Sequence, residues 1–150
     1  DLNRARFLQE WLEYHKSRAR KREVELGLVL RTQDVSAHVD PEGMRQIMDN
    51  LIDNAIKYTP AGGSVDVELD VDGDDVHIVV RDSGIGIGQI HIERIFDLCY
   101  RVDKARSREL GGTGLGLAIV KHLAGAFGGS VEVESTAGQG TSFIVRLPQC

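Results

Sequence analysis

Residues 64–81 read SVDVELDVDGDDVHIVVR. From Ser64 to Val71, the apolar Val65, Val67, Leu69 and Val71 alternate with Asp66, Glu68 and Asp70. That period of two sends apolar side chains to one face of a strand and charged ones to the other. Asp72-Gly73 is a turn signal, and Val76 to Arg81 supplies a second strand behind it. The stretch therefore predicts an antiparallel hairpin with one wet face, and its dry face requires a covering layer.

The segments on either side supply that layer. Upstream, residues 3–20 place Phe7, Leu8, Trp11, Leu12 and His15 at helical spacing among many Lys and Arg, an amphipathic helix suited to cover a sheet. Val24, Leu26, Leu28 and Leu30 alternate like a strand, and Gln33-Asp34 reads as a connection. A strong helix start follows. Asp40 suits the N-cap and Pro41 the first helical position, and Met44, Ile47, Met48, Leu51, Ile52 and Ala55 carry an apolar face until Pro60. Downstream, glycine-rich Asp82 to Gly88 precedes a short helix around His91 to Phe96, and Asp103 to Gly112 lacks periodicity and reads as a mobile loop. Leu115 to Phe127 reads as a helix stopped by Gly128-Gly129, and strands Ser130 to Glu134 and Thr141 to Leu147 join through Gly138 and Gly140. The sum is α+β: a two-layer sandwich with helices on one face of a mixed, mostly antiparallel sheet, in one domain over 1–150.

With 150 residues, 41% of them hydrophobic, the chain can bury a core of its own. The net charge of −5 argues against a nucleic-acid or acidic-membrane partner, whose phosphates demand an excess of Lys and Arg. The two cysteines, Cys99 and Cys150, form no metal or disulfide framework. Absence of a long apolar run or a signal-like start adds the expectation of a soluble, cytoplasmic domain, compatible with the cytoplasmic part of a membrane-anchored sensor.

Four groups of residues carry candidate chemistry. Asn50, Asn54 and Lys57 share one edge of the helix that starts at Pro41. Asparagine is a poor helix former, and its carboxamide oxygen is a hard, neutral ligand suited to Mg²⁺ already held by phosphates. Taken alone, the row reads better as a merely solvated edge. Asp82, before Ser83-Gly84-Ile85-Gly86-Ile87, sits at a strand end where a carboxylate can accept from an exocyclic amine such as adenine N6; a tight glycine turn is the competing reading. Gly111-Gly112-Thr113-Gly114-Leu115-Gly116 opens a helix, where backbone N–H groups can cradle phosphate or a hinge can flex. Its spacing fits neither a P-loop nor a dinucleotide fingerprint. Arg101, Lys104, Arg106 and Arg108 lie in the loop between, either as phosphate clamps or as a solvated charge run. The five histidines, His15, His38, His77, His91 and His122, show no metal spacing and read as surface or packing residues.

In order, Asn50-Leu51-Ile52-Asp53-Asn54-Ala55-Ile56-Lys57-Tyr58-Thr59-Pro60, Asp82 to Ile87, Ile95-Phe96, Tyr100 to Lys104, Gly112 to Leu117 and Gly138 to Phe143 resemble the successive boxes of the sensor histidine kinase catalytic domain. The likeness covers nearly the whole chain. It implies a Bergerat-type sandwich with a mobile ATP lid, and Mg-ATP as the ligand. By resemblance, Asn54 and Asn50 would hold Mg²⁺ and phosphates, Lys57 would reach phosphate and Tyr58 would pack beside the nucleotide. Asp82 would read adenine in a pocket shaped by Gly84, Gly86 and Ile87. Gly112, Thr113, Gly114, Leu115 and Gly116 would close on the phosphates, and Arg101 and Arg106 would meet the terminal one.

The same resemblance implies γ-phosphate transfer to a histidine on a dimerisation domain, expected before residue 1, with a response regulator further on. None of the histidines here stands in a phosphoacceptor context, so the fragment alone is expected to be inactive. Leu98 and Cys99 stand where the family often has an aromatic and a basic residue, which bears on lid packing. The alternatives are another ATPase of the wider group or a nucleotide sensor. A water-activating ATPase would carry glutamate four residues before Asn54, where this chain has Asn50.

Overall fold

The computed structural model describes residues 6–31, 40–97 and 116–149, with side chains from residue 10 onwards. Its elements are α1 (Arg6–Lys21), β1 (Glu25–Leu30), α2 (Pro41–Lys57), β2 (Ser64–Asp72), β3 (Asp75–Asp82), α3 (Gln89–Ile92), α4 (Gly116–Ala126), β4 (Ser130–Thr136) and β5 (Gly140–Pro148). The strands form one sheet ordered β1-β2-β3-β5-β4. β1 and β2 are parallel, joined through α2, and the other neighbours are antiparallel. The α+β, mixed-sheet expectation holds.

Several boundaries differ from the sequence reading. Asp72 pairs with Asp75, so the hairpin loop is Gly73-Asp74, one residue later than the Asp72-Gly73 signal suggested. The facing apolar rows set this register, since slipping by one residue would turn the inward-facing valines of one strand to water. β4 and β5 extend to Thr136 and from Gly140, beyond where hydrophobic alternation stops, because backbone pairing continues without apolar side chains. The short helix begins at Gln89 and closes at Ile92, where residues 93–96 continue as turns.

α2 is the keystone of the helical layer. Met44, Ile47, Met48, Leu51, Ile52, Ala55 and Ile56 are each at most 1% exposed. They join Val65, Val67 and Leu69 of β2, Val76, Ile78 and Val80 of β3, and Phe143, Val145 and Leu147 of β5 in one core. Its start is fixed as the sequence indicates: the Asp40 carboxylate accepts from Gly43 N–H at 3.0 Å, with Pro41 behind it. At its end, Arg22 of the α1–β1 junction donates to the Lys57 carbonyl at 3.2 Å, a cation placed where the helix dipole is negative.

α1 and α4 end alike. Gly129 N–H reaches the Ala124 carbonyl and Gly128 N–H that of Gly125, the paired bonds of a Schellman cap with Gly128 at φ 78°. In α1, Val24 N–H reaches Ala19 and Glu23 N–H reaches Arg20, but the left-handed residue is Glu23, φ 56°. An L side chain costs roughly 1–2 kcal/mol in that region, partly offset by the extra unfolded freedom of glycine. Glu23→Gly should therefore stabilise the chain by about 0.5–1 kcal/mol in a denaturant melt.

α1 is also hooked to α2 by charge. His15 is buried, with Nε2 2.9 Å from Asp49 Oδ1 and Nδ1 3.5 Å from Asp53 Oδ1. Arg18 adds a bond to Asp53 at 2.6 Å. This corrects the reading of His15 as an ordinary surface or packing residue: only the doubly protonated ring can donate toward both carboxylates. Burial alone would lower the His15 pKa, but hydrogen bonds and charge from Asp53 and Asp49 outweigh it and raise it above 6.5. For Asp53, burial pushes up and is outweighed by His15, Arg18 and Lys57, so its pKa falls below 3.8. The histidine's contribution is complete below pH 6.5 and is lost as pH rises through its higher folded value; that of Asp53 is lost only in acid. A melting series from pH 5.5 to 8.5 should show the wild type losing stability through this range and His15→Asn losing less, a difference absent if the hook does not form in solution.

Candidate functional site

On β3, the inward parity runs Val76, Ile78, Val80, Asp82, so a carboxylate ends a core row. Asp82 is 8% exposed. Its Oδ1 accepts from Gly84 N–H at 2.8 Å, and the Thr141 backbone N–H supports it from the neighbouring strand. Burial nevertheless dominates and pushes its pKa up from 3.8. A carboxylate kept short of solvent with acceptor capacity to spare is poised to take a donor from a ligand.

Two contacts join predicted residues of separate elements, the first of them beside this carboxylate. The end of α2 meets the glycine loop: Ile85 N–H donates to the Tyr58 carbonyl at 3.3 Å. A Cβ on Gly84 would stand 2.4 Å from that carbonyl oxygen, so the approach depends on glycine there. At the other side, a Cβ on Gly116 would stand 3.2 Å from Asn50 Oδ1, which puts the first turn of α4 against the asparagine row. Asn50, Asn54, Lys57 and Tyr58 are half-buried, neither in the core nor freely solvated. Lys57 is close enough to Asp53 to add, after His15 and Arg18, to the lowering of its pKa.

Of the expected residues, Tyr58, Asp82, Gly84, Gly86 and Ile87 lie on or against the glycine loop, Asn50 and Gly116 meet at the start of α4, and Asn54 and Lys57 stand on α2 between Asn50 and Tyr58. Arg101, Arg106, Gly112, Thr113, Gly114 and Leu115 lie outside the described residues, as do Leu98, Cys99 and the loop 103–112. A cleft of about 420 Å³ opens near the same sheet end, lined by Asp66, Arg81, Glu134 and Ser142 among others. Those four belong to the outward parity, facing away from α2, whereas Asp82, Ser135 and Thr141, which also line the cleft, belong to the helix-facing row; Asn50 and Asn54 do not line it. No group of three or more His, Cys, Asp or Glu among the described residues could hold a metal alone. Ser135 and Arg22 support the site without having been singled out, and Thr141 was named only within the Gly138 to Phe143 stretch; a small hydroxyl in a strand and an arginine after a helix carry no signal of their own.

Known proteins supply the frame for this geometry. Residues 39–150 match the family described as histidine kinase-, DNA gyrase B- and HSP90-like ATPase. Among relatives, sensor histidine kinase WalK of Bacillus subtilis is 46% identical over 121 residues, covering 79% of this chain and 20% of WalK. Sensor protein SrrB of Staphylococcus aureus is 42% identical over 110 residues, covering 73% of this chain and 19% of SrrB. The chain thus spans about a fifth of the length of these relatives. Full-length ShkA, solved in complex with AMPPNP, superimposes with a TM-score of 0.84 at 32% identity, over 96% of this chain and 29% of that one. The catalytic domain of histidine kinase ThkA gives 0.86 at 24% identity over 99% and 93%. No helix among the described residues is long and apolar enough to cross a membrane. The asparagine-bearing helix, the buried Asp82 and the glycine loop packed on the helix end all lie within the matched 39–150, and with them the chain belongs to the histidine kinase-, DNA gyrase B- and HSP90-like ATPase family.

Proposed function

We propose that this chain binds Mg-ATP and donates its γ-phosphate to a histidine on a separate dimerisation domain of a cytoplasmic sensor kinase, which would then pass it to a response regulator. The observation that carries the reading is a pair of contacts: the loop after the buried carboxylate of Asp82 against the C-terminus of α2, and the Asn50 row of that helix against the start of α4. Asn54 and Asn50 are the metal ligands and Lys57 reaches phosphate. Gly112, Thr113, Gly114 and Leu115 complete the phosphate cradle with Gly116, and Arg101 and Arg106 meet the terminal phosphate.

The residues fit magnesium in a specific way. Neutral carboxamides cannot supply the charge an isolated divalent site needs, but they suit an ion whose charge is balanced by phosphates. A Cβ at Gly116 would stand 3.2 Å from Asn50 Oδ1, a tight approach that a small shift of the Asn50 side chain would relieve. When bound, Mg²⁺ supplies charge neutralisation on the transferring phosphoryl group. The protein's own part is placement: Asp82 and the loop fix the base, and the asparagine row fixes the other end, so the phosphate chain is presented to an incoming nitrogen in a defined orientation. The amide at Asn50 has no basicity with which to activate water, which favours a protein acceptor over hydrolysis.

Calorimetric titration of Mg-ATP tests the binding half. Wild type should bind, and Asn54→Ala should weaken binding at least tenfold, the loss of about 1.4 kcal/mol or more of ligation. Equal affinity in the two would overturn the metal assignment. For transfer, the chain is mixed with a histidine-bearing helical hairpin of its own kinase and labelled ATP. Acid-labile label on the hairpin is expected; its persistent absence with binding intact would leave a nucleotide sensor.

A further inference from the structure

At the end of the sheet where α2 stops, the helix-facing row is polar. Register sets Asp82 opposite Thr141, and Thr141 opposite Ser135. The Ser135 hydroxyl has three partners: it accepts from Ile87 N–H at 2.8 Å, donates to the Gly140 carbonyl at 2.8 Å, and lies 2.8 Å from the Thr141 hydroxyl. A serine hydroxyl has one proton to give. With that proton on Gly140, the Thr141 hydroxyl must be the donor to Ser135, which fixes its rotation and turns its own lone pairs elsewhere.

Both partners belong to the Asp82 neighbourhood. Thr141 is 7% exposed, and its backbone N–H supports the Asp82 carboxylate. Ile87 closes the glycine loop that follows Asp82. The β4–β5 hairpin holds the same loop at two more points, Gly138 N–H to the Ile85 carbonyl at 2.6 Å and Gln89 Nε2 to the Ser135 carbonyl at 3.4 Å. Of these ties, only the Ser135 hydroxyl bridges the loop and the strand residue opposite Asp82 through a single atom.

We propose that Ser135 is a positioning residue for base recognition: its hydroxyl sets the direction of the Thr141 hydroxyl and the seat of the loop at Ile87, so that the site distinguishes a 6-amino purine from a 6-oxo purine. Ser135 itself need not touch the nucleotide. The proposal rests on the reading of Asp82 as the contact for the amino group.

ATP and ITP are titrated into wild type, Ser135→Ala and Ser135→Thr at a temperature where each is folded. Wild type should prefer ATP. Loss of one hydrogen bond's worth of order should weaken ATP about fivefold in Ser135→Ala, with ITP little changed, so the preference falls by the same factor. Ser135→Thr, which keeps the hydroxyl, should restore it. A role in stability alone would lower the melting temperature and leave the ATP/ITP ratio in place; an unchanged ratio in Ser135→Ala overturns the proposal. Wild type that binds no ATP removes the Asp82 reading, and this proposal with it. Should Ser135→Ala not fold, amide exchange in the wild type decides: slow exchange at Ile87 N–H supports the bond to Ser135, and exchange at the rate of an open loop overturns it.

Discussion

Gly86→Ala is expected to lower stability by roughly 2–5 kcal/mol, the combined cost of a left-handed L residue and of overpacking against rigid neighbours. Gly86 has φ 73°, and a Cβ there would stand 2.1 Å from the Thr136 carbonyl oxygen and 2.9 Å from Ala137 Cα. Both obstacles are backbone, in the turn between β4 and β5, so no side chain can rotate away. Relief requires the glycine loop to lift off the hairpin, breaking the bond from Gly138 N–H to the Ile85 carbonyl. The loop that follows Asp82 then loses its seat, and nucleotide affinity should fall with stability. Urea melts and Mg-ATP titration read the two effects; a variant as stable as wild type would mean that the loop and hairpin do not pack this closely in solution.

Asp82→Asn should separate the two quantities that Gly86→Ala lowers together. Nucleotide binding should weaken about 10- to 150-fold, the equivalent of one charge-assisted hydrogen bond of roughly 1.5–3 kcal/mol. Stability of the free chain should rise. Because the folded pKa of Asp82 is raised, the folded chain holds its proton more tightly than the unfolded chain does. Its charged form therefore destabilises the fold at neutral pH, and this cost disappears as pH falls below the ordinary value of 3.8. A neutral amide of the same shape escapes it. The expected pattern is a higher melting temperature for Asp82→Asn at pH 7 that converges on wild type in acid, alongside poorer ATP binding at pH 7. A carboxylate that costs stability and contributes binding belongs to function; unchanged affinity would place it with the packing instead.

These two residues also mark how far the sequence could be read. Asp82 stood out because its period-two strand and the glycines after it are local signals, and the N-cap at Asp40 and the asparagine row were legible for the same reason. That the β3 alternation turns Asp82 inward follows from the pattern as well. What sequence could not give was the neighbour of each residue. Gly86 is expected from the resemblance to shape the pocket, but nothing in the sequence puts Thr136 against it. His15 fits an amphipathic helix until Asp49 and Asp53, more than thirty residues away, meet both of its ring nitrogens. Glu23 has no property of a left-handed residue, and only the packing of α1 and β1 around it imposes φ 56°.

The division has a physical basis. Hydrophobic periodicity, capping and turn chemistry act over a few residues, so the α+β class, the helix that starts at Pro41 and the order of the glycine motifs were determined by the sequence itself. Sheet register, the burial of His15 between two carboxylates, the tie of Ser135 to Thr141 and Ile87, and the contact of Gly116 with Asn50 depend on groups brought together only when the core closes. Their energies come from desolvation and from hydrogen bonds between distant segments, and only the tertiary structure decided them.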